Sequence, residues 1–277
     1  MLWLYRFFNV LSIDVAVGAV VCAAFFVHIF QIQLSPYCLA SLGVSVWIIY
    51  STDHLMDVRK LNSIASTTRH QFHQRYFRMV GTSVVAAAAI DLMLILQMER
   101  PVLAWGAVLL FFVLLYLLLN RRLGPWKECF GAILYSLGIL LPGLSLHTTP
   151  ISVSLILLMG AFVLTALLNL ILFSWFDYDL DVIDKSMSVV IFQGKQRSRI
   201  LLGILFIFQG MLLTLILFGS QYQIEVLILM AMNIVLWMLF QFRNWFSKEE
   251  QYRLIGDMIF LFPFPYLIVN NLWTFYL

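Results

Sequence analysis

The chain has 277 residues, of which 62% are hydrophobic and 11% are charged, with a net charge of +3 and a mean hydropathy of +0.94. A soluble domain carries charge on roughly a quarter of its residues. This composition therefore excludes a soluble domain and indicates a polytopic membrane protein. The three cysteines are scattered without a C-x-x-C spacing, so they suggest neither a disulfide framework nor a zinc site. We expect no nucleic-acid partner.

A membrane-spanning helix needs about 20 mostly apolar residues. Nine such segments follow one another, at roughly residues 7–30, 36–57, 76–97, 101–119, 128–147, 151–174, 198–219, 222–241 and 254–275. Pro142 and the pair Pro263/Pro265 fall inside segments and are expected to kink them. The prediction is an all-α integral membrane protein with one domain, residues 1–277, in which nine transmembrane helices form a bundle around a central cavity.

The connections between these segments differ sharply in charge. Of the 17 Lys and Arg residues, 16 lie at the N-terminus or in connections that follow even-numbered segments, and only Arg100 lies on the other side. Because cytoplasmic loops carry the excess of Lys and Arg, the N-terminus is predicted to be cytoplasmic and the C-terminus outside. We expect a multi-pass protein of the cell inner membrane, with its cavity open to the cytoplasmic side.

Two groups of Asp residues end apolar segments on that side. The first acidic segment holds Asp53 and Asp57 after the second span, and the second acidic segment holds Asp177, Asp179, Asp181 and Asp184 after the sixth. Both contain the pattern D-x-x-x-D-V, and in a helix acids four residues apart share one face. Acidic residues at a membrane boundary are unusual enough to indicate a functional site.

Carboxylates held this close repel one another unless a cation neutralises them. Oxygen ligands without His or Cys partners favour Mg²⁺ over zinc, and Mg²⁺ usually binds one or two carboxylates together with substrate phosphates. The two acidic segments therefore predict a shared diphosphate site bridged by Mg²⁺, with nearby Lys and Arg side chains on the remaining oxygens. Loss of diphosphate from an allylic substrate gives a carbocation, and a cavity within the membrane suits the hydrocarbon tail.

At this point the sequence resembles the UbiA superfamily of intramembrane prenyltransferases, which have nine helices and two Asp-rich motifs after helices two and six. The first family motif reads roughly N-D-x-x-D-x-x-x-D, and Ile49-Tyr50-x-x-Asp53-x-x-x-Asp57 lies over it. The second reads roughly D-x-x-D-x-E-x-D, and Ser174-x-x-Asp177-x-Asp179-x-Asp181 lies over that one. Each motif here keeps its last acids and lacks its leading one.

The resemblance implies a Mg²⁺-dependent transferase that moves an isoprenyl group from an isoprenyl diphosphate to an unidentified lipophilic acceptor. It implies that the metal is bound by Asp53, Asp57, Asp177, Asp179 and Asp181, all but Asp179 of which are also expected to be catalytic. The side chains expected to bind the diphosphate are Lys60, Arg121, Arg122, Lys127 and Lys185. The side chains expected to line the cavity or meet the acceptor are Tyr50, Tyr116, Asn169 and Ser174.

Two other functions stay open. A membrane terpene cyclase would use the same diphosphate donor and let the carbocation close on itself. A cation transporter would bind its ion with the acids, but transporters place such acids near the bilayer midplane, whereas these lie at the boundary. Membrane lipids are a further expected partner.

The charge asymmetry predicts that both acidic segments are exposed to the cytoplasm. We expect cysteine labelling of Ser63→Cys and Ser186→Cys to report the cytoplasmic side at both positions. Accessibility of the two positions from opposite sides of the membrane would exclude one shared site.

Overall fold

The structure, a computed structural model, describes residues 2–59, 64–184 and 186–270, which form helices joined by short connections and contain no strand. The helices are α1 Leu2–Val10, α2 Ile13–Ile29, α3 Pro36–Val58, α4 Thr68–Arg75, α5 Phe77–Ile95, α6 Arg100–Leu123, α7 Lys127–Leu146, α8 Val153–Phe176, α9 Tyr178–Asp184, α10 Val189–Gln193, α11 Lys195–Gly219, α12 Gln223–Gln241, α13 Arg243–Phe246, α14 Gln251–Met258 and α15 Phe264–Val269. Short 3₁₀ turns occupy Gly124–Trp126, Lys248–Glu250 and Ile259–Leu261.

Most of the predicted spans correspond to helical segments that are long and apolar enough to cross a membrane. Seven such segments lie within the described residues: Phe77–Ile95, Arg100–Leu119, Gly124–Leu146, Val153–Phe176, Lys195–Gly219, Gln223–Gln241 and Lys248–Val269. They confirm an all-α, multi-pass membrane protein. Helix α2 has only 17 residues, and α3 has 23 but carries two acids. The count of nine, the cytoplasmic opening and the orientation of the termini therefore stay predictions.

The first predicted span, 7–30, is wrong as a single helix. Helix α1 ends at Val10, and α2 begins at Ile13 after Ser12 adopts a left-handed backbone conformation with φ of 57°. Beside this break the side-chain amide of Asn9 donates to the carboxylate of Asp14 at 2.5 Å. Both side chains are buried, so the break pairs polar groups that a continuous apolar helix would not have brought together.

The last predicted span contains the break expected from its two prolines. Helix α14 ends at Met258, a 3₁₀ turn follows, and α15 begins only after Pro263. Proline lacks a backbone N–H and clashes with the preceding turn, so an α-helix cannot run through this stretch undisturbed. Pro142, in contrast, lies within the continuous helix α7.

The Cα positions group into two compact units, and a single domain over 1–277 stays a prediction. The first unit comprises Met1–Val108, Gly138–His147 and Pro263–Leu277, and the second comprises Leu109–Leu137 and Thr148–Phe262. In the first unit α3 packs against α2 and α5, and it carries the first acidic segment. In the second unit α8 packs against α11, α12 and α14, and it leads into the second acidic segment.

Helix α8 is held to α11 and α12 by buried polar side chains as well as by apolar packing. The Gln209 amide donates to Thr165 Oγ1 at 3.0 Å and to the Ala161 carbonyl at 2.9 Å. The Asn233 amide donates to the same Thr165 oxygen at 2.8 Å. Hydrogen bonds of this kind link helices inside a membrane, where the hydrophobic effect between helices is absent.

Helix α14 approaches α8 so closely that one position has no room for a side chain. A Cβ atom on Gly256 would lie 2.5 Å from Phe173 Cε1 and 2.7 Å from Asn169 Oδ1. This approach places Tyr252 and Arg253, one turn earlier on α14, beside the end of α8.

We expect Gly256→Ala to lower the free energy of unfolding by roughly 1–3 kcal/mol, because the added methyl group forces α14 away from α8. Gly210→Ala on α11 is the matched control, since no side chain and no other helix lies within 4 Å of a Cβ there. Thermal unfolding in detergent measures both variants. Equal stability of Gly256→Ala and the native protein would show that the two helices do not need this contact.

Candidate functional site

The second acidic segment begins where α8 ends. The Asp177 N–H donates to the Phe173 carbonyl at 2.9 Å and closes the last turn of α8. Helix α9 follows at once, and the Asp181 N–H donates to the Asp177 carbonyl at 2.8 Å. Asp177 and Asp181 are therefore one helical turn apart across this junction, as their spacing predicted.

Asp177 is buried and engaged by two residues of α14. Its Oδ1 accepts from the Tyr252 hydroxyl, and its Oδ2 accepts from the Arg253 guanidinium at 2.5 Å. The Tyr252 ring stacks parallel on Phe176, with centroids 4.2 Å apart. With 5% of its surface exposed, Asp177 forms a buried ion pair that fixes α14 to the end of α8. A metal-binding role for Asp177 stays a prediction.

Asp181 is half-buried and has charged neighbours of both signs. Burial raises the pKa of its carboxyl group to about 7; Lys127 and Arg253 lower that pKa, and Asp177 and Glu128 raise it. Burial outweighs the two nearby cations in setting this pKa. A bound cation would favour its ionised form.

Glu128 is a buried carboxylate that the sequence analysis did not assign. It lies at the start of α7 with 4% of its surface exposed. Its Oε1 accepts from the Ser174 hydroxyl at 2.8 Å, and its Oε2 accepts from the Val189 N–H at 3.2 Å. Ser174, which the sequence comparison laid over the leading acid of the second UbiA motif, is therefore hydrogen-bonded to a carboxylate of α7.

Asp179 is an exposed acid of the second acidic segment. It forms an ion pair with Lys195 at 2.9 Å, and 71% of its side chain is exposed. The Lys195 ammonium also lies 5.2 Å from the centroid of the Tyr178 ring. Metal binding by Asp179 stays a prediction.

Three other predicted site residues of the second unit lie on helices α6 and α8. Asn169 is buried on α8 and faces Gly256. The Tyr116 hydroxyl lies against α7 at Gly131, 3.5 Å from where a Cβ would be. Arg122 is exposed on the last turn of α6. Lys60, Lys185 and the side chain of Arg121 lie outside the described residues.

The first acidic segment lies on the last two turns of α3, in the first unit. Asp53 and Asp57 are both half-buried, and their spacing of four residues places them on one helical face. Tyr50 lies one turn earlier, and its ring centroid is 6.4 Å from that of His54.

Helix α4 surrounds His54 with two further imidazoles. The His54 ring lies 5.4 Å from that of His70 and 5.0 Å from that of His73. His73 is fully buried, and its Nδ1 bonds to the Arg69 carbonyl at 2.9 Å. Burial lowers the pKa of His73, so the neutral imidazole is favoured here.

Within the described residues, no group of three or more His, Cys, Asp or Glu side chains is arranged to hold a metal ion unaided.

No protein-family model matches this sequence, and no curated protein matches it. Among solved structures, a UbiA homologue from Archaeoglobus fulgidus bound to GPP and Mg²⁺ is similar, with a TM-score of 0.66 and 13% identity over 94% of this chain and 98% of that one. A UbiA homologue from the same organism bound to DMAPP and Mg²⁺ has a TM-score of 0.63 and 12% identity, over 95% and 99% of the two chains. The apo structure of a UbiA homologue from Aeropyrum pernix K1 has a TM-score of 0.66 and 12% identity, over 92% and 98%. The chain therefore has the UbiA fold.

The two ion pairs of the second acidic segment are expected to differ greatly in their contribution to stability. Arg253→Gln leaves the Asp177 carboxylate buried without its cation, which costs roughly 3–5 kcal/mol. Lys195→Gln is the control, because its exposed pair with Asp179 contributes about 1 kcal/mol or less. Thermal unfolding in detergent compares the variants, and equal losses would contradict a structural role for the Asp177–Arg253 pair.

Proposed function

We propose that this chain is a Mg²⁺-dependent intramembrane prenyltransferase that moves an isoprenyl group from an isoprenyl diphosphate to a lipophilic acceptor. The observation that carries the proposal is the UbiA fold over 94% of the chain, shared with a homologue bound to GPP and Mg²⁺. The acids of the second unit support it. The proposal specifies the acceptor only by its chemical class, a lipophilic molecule.

The residues of the second unit fit a divalent cation. Asp181 is a half-buried carboxylate whose pKa is raised to about 7, so a nearby cation would stabilise its charged form. Glu128 supplies a second carboxylate from another helix, and its two oxygens accept from the Ser174 hydroxyl and the Val189 N–H. Carboxylate oxygens are the ligands that Mg²⁺ prefers, and the ion would supply charge neutralisation for a departing diphosphate.

The proposed roles follow from where the charges lie. Asp181 and Glu128 bind the cation, and Lys127, the largest favourable charge on Asp181, contacts diphosphate oxygens. Arg253 is held by Asp177 and keeps its positive charge close to Asp181. In the first unit, Asp53 and Asp57 are proposed to contribute further carboxylates.

The proposed reaction breaks the bond between the allylic carbon and the diphosphate oxygen, and the bonding electrons leave with the diphosphate. The acceptor then donates an electron pair to the carbocation and loses a proton. Lys127 and Arg253 act by stabilising the negative charge that grows on the leaving group. A cyclase would differ only in the second step, in which a double bond of the same chain supplies the electrons.

Donor binding is expected to depend on a divalent cation. Purified protein should bind GPP or DMAPP in the presence of Mg²⁺ and lose binding when a chelator is added, because carboxylates repel a bare diphosphate. Calorimetric titration measures the binding, and identification of the lipid products after turnover separates transfer from cyclisation. Equal donor affinity with and without chelator would refute the proposed metal dependence.

The carboxylates are expected to differ in their effect on turnover. Asp53→Asn, Asp57→Asn and Asp181→Asn should each lower turnover at least roughly a hundredfold, the scale of losing one aligned electrostatic contact. Asp184→Asn is the matched control on α9, because no acid of the family motif lies over it. Near-normal turnover of both Asp53→Asn and Asp181→Asn would overturn the proposal, and thermal stability without metal checks that each variant folds.

Glu128 offers a sharper version of this comparison. Glu128→Gln removes the charge with little change of shape, and turnover should fall as it does for Asp181→Asn. Ser174→Asp combined with Glu128→Gln returns a carboxylate to the same place from α8, and it should recover part of the turnover. If the double variant folds but does not recover turnover, Glu128 has a structural role and does not bind the cation.

A further inference from the structure

A second polar feature of the second unit contains no acid. It is an open groove of about 620 Å³ at the ends of α8, α11 and α12, and it continues along the connection from α12 to α14. Its lining includes Arg199, Arg243, Lys248, Trp175 and Trp245, and we refer to it as the basic groove.

The three cations of the basic groove are not paired with a carboxylate within the described part of the chain. Lys195 pairs with Asp179 and Arg253 pairs with Asp177, whereas Arg199, Arg243 and Lys248 form no ion pair there. Arg199 and Lys248 are exposed. Three positive charges around one groove produce a field that attracts an anion.

Arg243 is positioned by aromatic rings instead of by a carboxylate. Its guanidinium carbon lies 4.6 Å from the centroid of the Trp175 ring and 5.8 Å from that of Phe176. Its buried Nε has no hydrogen-bond partner. A cation–π contact restrains the guanidinium without using its N–H donors, so these remain able to bind the oxygens of an anion.

The basic groove lies at one end of three membrane-spanning helices. Arg199 belongs to the first turns of α11, Arg243 and Lys248 follow the end of α12, and Trp175 lies in the last turn of α8. Trp245 exposes 72% of its surface. Trp side chains favour the level of the lipid headgroups, and basic pockets between spanning helices bind anionic headgroups there.

We propose that the basic groove binds the phosphate headgroup of an anionic phospholipid. The cations attract the phosphate, and the exposed rings of Trp245 and Phe242 contact the apolar part of the same lipid, which a free phosphate lacks. The groove is lined by no carboxylate, so this binding needs no divalent cation. The inference does not depend on the proposed transferase activity.

The test uses the full-length protein in a neutral detergent and counts retained lipid molecules by native mass spectrometry. Phosphatidylglycerol should be retained and phosphatidylcholine should not. Arg199→Gln and Lys248→Gln should each weaken phosphatidylglycerol binding roughly fivefold, since each basic residue near a headgroup contributes about that factor. Arg197→Gln is the matched control, because it removes the same charge from an exposed position on α11 outside the groove.

Three results would each overturn the proposal. The first is equal retention of phosphatidylcholine, and the second is an equal loss of binding in Arg197→Gln, which would reflect total charge only. The third is displacement of the lipid by an equal concentration of inorganic phosphate, which would identify a soluble anion as the ligand. Arg199 and Lys248 are exposed, and an unchanged melting temperature of each variant confirms that it is folded.

Discussion

The burial of the Asp177 carboxylate is the constraint on which the second unit depends. A buried charge without a partner costs several kcal/mol, and Arg253 and Tyr252 offset that cost by binding both oxygens. They reach Asp177 only because α14 lies directly against α8, where Gly256 leaves no side chain between the helices. The same contact places a guanidinium near Asp181, so the electrostatics of the candidate site depend on it.

Acids that look equivalent in the sequence have different surroundings in the structure. Asp177 is buried and held by Tyr252 and Arg253, Asp179 is exposed and paired with Lys195, and Asp181 is half-buried with a raised pKa. Geometry explains the difference: Asp177 follows a helix with a largely buried last turn, whereas Asp179 and Asp181 belong to α9, which has no fully buried residue. Among the three, Asp181 therefore gains most from a bound cation.

The sequence analysis succeeded where the relevant interaction is local. Apolar length identified the seven segments long enough to span a membrane, and Pro263 identified the break before α15. The sequence analysis did not predict the helix break at Ser12, because the polar contact between Asn9 and Asp14 forms only once the chain bends. Glu128 was missed for a related reason: it is 46 positions from Ser174, and only the packing of α7 against the end of α8 joins them.

Charge patterning along the chain assigned 16 basic residues to the predicted cytoplasmic side, and five of them, all in the second unit, have two kinds of surroundings in the structure. In the second unit, Lys127 and Arg253 lie beside carboxylates, and their charge is shared with those acids. Arg199, Arg243 and Lys248 line a groove that also contains two indole rings, and the guanidinium of Arg243 lies over one of them. A diphosphate can approach the acids only with a cation between them, whereas a phospholipid headgroup can approach the basic groove directly. Metal dependence is therefore the physical property that distinguishes the two proposed anion sites.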